Sequence, residues 1–138
     1  MNVKIISKIK DSEGEVDEMT LFTQANYQRK SDKAYLMYEE SELSGLEGTK
    51  TLLVYDGETV NIKRYGSVNS NLNIVMDENV ENIYKTPYGV FVMHTIGKLI
   101  HWNDENGICI QMRYLLLIEG VGTQTEISIE IEEMKIEQ

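Results

Sequence analysis

The residue with the clearest chemical potential is Arg64, because an alternating pattern predicts that its guanidinium points into the protein. Val60, Ile62 and Arg64 share one phase of a short run whose other phase is polar. A buried guanidinium must be paired, and its planar fork suits a carboxylate or a phosphate. Two interpretations stay open: Arg64 anchors an anionic ligand, or it forms an internal salt bridge with Glu39 or Glu40 and with tyrosine hydroxyls.

Tyrosine and threonine side chains supply further candidates for a ligand site. A tyrosine offers a ring to an apolar ligand and a hydroxyl that fixes its orientation, although such rings also fill cores and rims. The turn around the only proline is predicted to rim a cavity mouth or to be a rigid connection. Besides Arg64, the candidate ligand-binding residues are Tyr38, Glu39, Tyr84, Thr86, Tyr88, Thr95 and Tyr114.

The sequence contains no pattern typical of an enzyme or a metal site. His94 and His101 would lie on opposite faces of an unbroken strand, and only a bulge at Gly97 would bring them to one side. Cys109 fits no zinc-ligand spacing, and the chain lacks both a Gly-x-Ser-x-Gly nucleophile motif and a complete dinucleotide-binding glycine motif. We therefore predict no catalytic residue, no metal and no cofactor.

The scaffold that must position these residues is predicted to be nearly all β. Alternation with period two dominates, and the spacing of an amphipathic helix never persists. Asp56 and Gly57 separate two alternating runs, which predicts a type I′ hairpin with positive φ at both residues. Gly97, inside a long strand, predicts a bulge or bend. About eight to ten short strands joined by turns favour an antiparallel sandwich or barrel.

Charges at the two ends of the chain favour the barrel over the sandwich. The outward side of the first strand is basic and that of the last strand is acidic, so pairing these strands would create cross-strand ion pairs. The same pairing removes both edges of the sheet. The residues concerned are Lys4, Lys8 and Lys10 in the first strand and Glu126, Glu130 and Glu132 in the last.

Length and composition narrow the class of protein. A chain of 138 residues suits a single domain, here residues 1–138, and its 13 basic and 23 acidic residues give a net charge of −10. That charge argues against nucleic acid and anionic membranes as partners. A single cysteine excludes an internal disulfide, and the N-terminal residues lack the apolar run of a secretion signal. We expect a cytoplasmic protein.

Several short motifs, in their order along the chain, resemble the YwiB-like family of bacterial proteins of unknown function. They are the run YLMYEE, the hairpin that ends in Arg64, Tyr65 and Gly66, the stretch YKTPYG, the strand with Thr95, and the segment RYLL. The resemblance implies a small cytoplasmic calycin barrel with eight or ten up-and-down strands and no established activity. Lipocalin-like cargo is not implied, because the Gly-x-Trp expected near the first strand is missing and the only tryptophan is Trp102.

Two functional hypotheses follow. The first is a barrel that binds a small, partly apolar, anionic ligand inside or at its mouth. The alternative is a structural or protein-interaction module whose barrel is filled by its own side chains. Leu115 and Leu117, together with Ile6 on another strand, are predicted to form an outward apolar patch that would suit a partner or a homodimer.

Overall fold

The described part of the chain forms a closed antiparallel barrel. The computed structural model describes residues 1–40, 48–66 and 69–135, apart from the side chain of Thr86. These residues form ten strands, each paired with its neighbours along the chain until β1 meets β10, which confirms the predicted all-β up-and-down architecture. In chain order they are β1 (Asn2–Lys10), β2 (Val16–Lys30), β3 (Lys33–Glu39), β4 (Lys50–Tyr55), β5 (Val60–Tyr65), β6 (Asn69–Ile74), β7 (Asn79–Thr86), β8 (Gly89–Asn103), β9 (Cys109–Ile118) and β10 (Gln124–Glu133).

The barrel closes through the predicted pairing of its first and last strands. Lys4 lies opposite Glu132, and Lys10 lies opposite Glu126. The predicted ion pairs do not follow, because none of the ion pairs among the described residues joins β1 to β10. Long side chains at an exposed position lose entropy when they are held in one geometry, which offsets most of the attraction. The charges therefore favour the register without forming direct contacts.

The hairpin predicted at Asp56 and Gly57 joins β4 and β5, but its turn is longer than predicted. The strands pair on either side of residues 56–59, and of the two central residues only Gly57 has a positive φ, at 102°. The Asp56 carboxylate accepts hydrogen bonds from the backbone amides of Glu58 (2.9 Å) and Thr59 (2.7 Å). This side-chain cap stabilises the longer turn, so the type I′ prediction is wrong.

Gly97 produces the bulge that the sequence predicts in β8. The pairing of β8 with β9 shifts register between Gly97 and Leu99. The backbone just after β6 contacts β8 at this point, because the Gly97 amide donates to the Val75 carbonyl at 3.0 Å. A Cβ atom on residue 97 would lie 2.7 Å from that oxygen, so only glycine fits. Because of the bulge, His94 and His101 both lie on the outer surface of the barrel.

Aromatic rings fill one end of the barrel, which we call the aromatic end. Trp102 stacks on Tyr55, with ring centroids 5.0 Å apart, and its indole nitrogen donates to the Tyr27 hydroxyl at 3.0 Å. Tyr27 in turn donates to Asp104 at 2.6 Å, and Arg29 donates to the same carboxylate oxygen. The three rings pack against the buried core. Trp102 thus fills an end of the barrel although it is far from the first strand in sequence.

The middle of the barrel is a packed hydrophobic core. Its fully buried side chains come from nearly every strand, including Leu36, Leu53, Ile62, Ile74 and Ile131. Inward and outward positions alternate along each strand, as period-two patterning requires. Within the described part of the chain, no helix has the length and apolarity needed to cross a membrane.

Ile6 does not join Leu115 and Leu117 in one apolar patch, contrary to the prediction from the sequence. Ile6 lies between Thr20 on β2 and Glu130 on β10. Leu115 lies further along the barrel, next to Glu126 on β10. An intervening strand with outward glutamates therefore separates Ile6 from the leucines. The outward orientation of all three side chains follows from alternation, but their separation depends on the order and register of the strands, which the sequence does not specify.

Candidate functional site

The end of the barrel opposite the aromatic end contains a cavity of about 440 Å³. We call it the mouth cavity. It lies where β1, β3, β5, β7 and β9 end and where their following strands begin. Its volume falls within the range of roughly 300–1,000 Å³ that is typical of small-molecule sites. The middle of the barrel is filled by side chains, whereas this end leaves room for a ligand.

A row of polar side chains crosses one wall of the mouth cavity. Each member lies directly opposite the next on the adjacent strand, and all of them are in the inward phase of β3 to β7. The members, in strand order, are Tyr38, Thr51, Arg64, Ser70 and Tyr84. We call them the polar row. Strand register therefore brings together hydroxyls and a guanidinium that are widely separated in sequence.

Two atoms at the centre of the polar row are buried without a hydrogen-bond partner. They are Nε of Arg64 and Oγ of Ser70, and their residues are paired across β5 and β6. None of the ion pairs among the described residues includes Arg64. The predicted internal salt bridge is therefore absent from the described part of the chain. Buried polar groups are nearly always satisfied, so these two adjacent groups can each donate to one further acceptor.

The opposite wall of the mouth cavity is mostly apolar. It comes from β1, β2, β9 and β10, which are contiguous in the closed barrel and face the polar row. Its apolar side chains are Ile9, Met19, Leu116, Ile118, Ile127 and Ile129, with Ser7 as a polar neighbour. The cavity thus has one wall that can bind a charged or polar group and one that can bind a hydrocarbon.

Two buried phenols lie close enough to Arg64 to be affected by its charge. Burial raises the pKa of Tyr38 well above its ordinary value, the charge of Glu40 raises it further, and Arg64 opposes both effects. Burial also raises the pKa of Tyr114, against the opposing effect of Arg64. Both phenols therefore stay protonated at neutral pH and retain their hydroxyl hydrogens.

Four of the candidate residues predicted from the sequence line the mouth cavity: Arg64, Tyr38, Tyr84 and Tyr114. Glu39 does not. It is exposed on the outer surface, whereas Glu40, one position further along, lines the cavity. The reason is alternation: Tyr38 points inward, so Glu39 points outward and Glu40 returns inward. Of the two glutamates that the sequence offered as partners of Arg64, the structure places only Glu40 near it.

Of the remaining three candidates, Thr95 and Tyr88 do not line the mouth cavity. Thr95 is fully buried, but its hydroxyl donates to the Asn73 carbonyl at 2.6 Å and accepts from the Asn82 amide at 3.0 Å. It therefore bridges β8 to β6 and β7. Tyr88 is 94% exposed in the turn between β7 and β8, and the side chain of Thr86 lies outside the described part of the structure.

Sequence reasoning missed Ser70 and did not choose Glu40 as a ligand contact. Ser70 is in phase with Leu72 in a short strand, which was the available signal for an inward position. Its pairing with Arg64 depends on the register between β5 and β6, which the sequence does not specify. Among residues 1–40, 48–66 and 69–135, no group of three or more His, Cys, Asp or Glu side chains is placed to hold a metal ion.

Fold and cavity together define the class of protein: a closed antiparallel β-barrel with a two-sided cavity at one end. The chain belongs to the family described as a domain of unknown function, DUF1934, whose model matches residues 3–131. It is similar to the crystal structure of the ywiB protein from Bacillus subtilis, with 26% sequence identity and a TM-score of 0.79, over 97% of this chain and 91% of that one. No curated protein matches the chain. The predicted membership of a YwiB-like family is therefore confirmed.

Proposed function

We propose that this protein binds a small amphipathic molecule in the mouth cavity, with an anionic group on the polar row and a hydrocarbon part on the apolar wall. The observation that carries the proposal is the adjacent pair of buried, unpartnered atoms, Arg64 Nε and Ser70 Oγ. Both groups donate hydrogen bonds, so an oxygen anion placed between them would satisfy both. We also propose a cytoplasmic location, on the basis of the acidic composition and the single cysteine.

The energetics favour an anion with an apolar body over either part alone. Leaving a buried donor unpaired costs about 1–3 kcal/mol, and a ligand oxygen recovers that cost on binding. Each buried methylene adds about 0.8 kcal/mol. Association and ordering costs offset much of this gain, so we expect a simple eight-carbon probe to bind with a Kd between about 10 μM and 1 mM.

The test is a calorimetric titration with octanoate and octyl phosphate. Wild-type protein is expected to bind at least one of them. Arg64→Met removes a charge-assisted hydrogen bond worth about 1.5–3 kcal/mol, so its affinity should fall roughly 10-fold to 100-fold. The matched control is Arg113→Met, because Arg113 lies on the outer surface in an exposed pair with Glu126 at 3.5 Å. Its affinity should equal that of the wild type.

Ser70→Ala provides a second variant that keeps the arginine. Removing one neutral hydroxyl contact of about 1 kcal/mol should weaken binding roughly fivefold. Far-UV circular dichroism checks that each variant retains its β-sheet. The proposal fails if neither probe binds at millimolar concentration, or if folded Arg64→Met protein binds as tightly as the Arg113→Met control.

A further inference from the structure

Glu40 adds a negative charge to the mouth cavity close to the guanidinium. The residue directly follows β3, is half-buried, and lines the cavity together with Arg64. Its Oε1 atom accepts a hydrogen bond from Thr51 Oγ1 at 2.8 Å. The charge of Glu40 also raises the pKa of the Tyr38 phenol. Thr51, a member of the polar row, thus holds this carboxylate at the cavity wall.

Thr51 links Glu40 to the strand that carries Arg64, because its hydroxyl donates to the Glu40 carboxylate. Thr51 pairs with Tyr38 on one side and with Arg64 on the other. Even so, none of the ion pairs in the described part of the chain joins the carboxylate to the guanidinium. The carboxylate has lone pairs beyond the one that Thr51 uses, and Arg64 Nε has an unused hydrogen. The cavity wall therefore presents a separate acceptor and a separate donor, of opposite charge.

The charges of Arg64 and Glu40 favour different groups of a ligand. A simple anion gains from Arg64 but is repelled by Glu40 in the same partly desolvated space, where charges are poorly screened. A simple cation meets the reverse problem. A molecule with both groups on neighbouring atoms gains from both side chains, and its hydrocarbon part can still reach the apolar wall.

Building on the proposed function, we infer that the ligand is zwitterionic: an amino-acid-like molecule whose carboxylate binds Arg64 and Ser70, whose ammonium binds Glu40, and whose apolar chain packs on the opposite wall. The contact between the ligand ammonium and Glu40 can be tested separately from the anion site.

The experiment compares three probes with the same number of carbons: 2-aminooctanoate, octanoate and octylamine. Calorimetry on the wild-type protein should give a Kd for 2-aminooctanoate at least roughly tenfold lower than for either of the other probes, because the ammonium adds a charge-assisted hydrogen bond. Glu40→Gln should weaken 2-aminooctanoate roughly tenfold and should strengthen octanoate. Glu39→Gln is the matched control, since Glu39 is exposed on the outer surface, and it should change neither affinity.

The outcomes separate the two claims. If octanoate binds at least as tightly as 2-aminooctanoate and Glu40→Gln changes neither affinity, the zwitterion inference is wrong while the anion site stands. If none of the three probes binds the wild type, and octyl phosphate does not bind either, the proposed function itself fails; if octyl phosphate alone binds, only the zwitterion inference fails. If Glu39→Gln and Glu40→Gln have equal effects, the discrimination comes from the general charge of the surface and the inference is also overturned.

Discussion

Replacing Arg64 with methionine should stabilise the barrel while it weakens ligand binding. Arg64 Nε is buried without a hydrogen-bond partner, which costs about 1–3 kcal/mol in a fully buried site. Methionine keeps an unbranched stem of similar length against the cavity wall and removes the unpaired donor. Because Arg64 as a residue is only half-buried, we expect the lower part of that range, a gain of about 1 kcal/mol in the free energy of unfolding.

The assay is urea unfolding followed by the fluorescence of Trp102. This indole stacks on Tyr55 at the aromatic end, far from the substitution, so it reports on unfolding and not on the mouth cavity. The midpoint should rise with an unchanged slope. Arg113→Met, the control, should stay within about 0.5 kcal/mol of the wild type because its ion pair is exposed. A loss of more than about 1 kcal/mol in Arg64→Met would show instead that Arg64 holds the fold together.

Three further predictions concern residues outside the mouth cavity. Thr95→Val should cost about 1–3 kcal/mol in urea unfolding, because it leaves the Asn82 amide and the Asn73 carbonyl without their buried partner, while octanoate titration should be unchanged. Gly97→Ala should cost about 1–3 kcal/mol by the same assay, because the new Cβ would lie 2.7 Å from the Val75 carbonyl oxygen, and a neutral result would contradict the close approach. The pKa of Asp104 lies below its ordinary value of 3.8, chiefly because Arg29 and then Tyr27 donate hydrogen bonds to its carboxylate. The stability that this carboxylate adds is present above pH 3.8 and is lost as the pH falls through its lower folded-state pKa. Asp104→Asn should therefore reduce the dependence of the free energy of unfolding on pH in the acid range. An unchanged pH dependence would count against this contact.

Most of the fold could be predicted because alternation and charge are local properties of the sequence. The inward phase of Val60, Ile62 and Arg64 follows from period two alone, and the charges of the terminal strands indicate that they pair. The turn at Asp56 was less predictable. An Asp-Gly pair fits a two-residue turn, but the Asp56 side chain can also cap a longer turn. The relative free energies of these two turns determine which one forms.

The candidate site was only half predictable because it depends on register between strands that are distant in sequence. Arg64 follows from its phase and Tyr38 from the chemistry of its ring and hydroxyl. Their connection through Thr51, and the pairing of Arg64 with Ser70, depend on the register between strands. The sequence also does not indicate how far along the barrel axis an inward residue lies. Thr95 is buried inside the barrel, yet it is hydrogen-bonded to neighbouring strands and does not line the cavity.

The most direct test of the anion site is the NMR signal of the Arg64 Nε–H group during a titration with octanoate. The chain contains three arginines, Arg29, Arg64 and Arg113, so the three side-chain signals can be assigned by substitution. Arg29 already donates to Asp104, and Arg113 lies on the outer surface, so both serve as internal controls. A saturable downfield shift of the Arg64 signal alone is expected. An unmoved Arg64 signal, or equal shifts of all three, would contradict the proposed anion site.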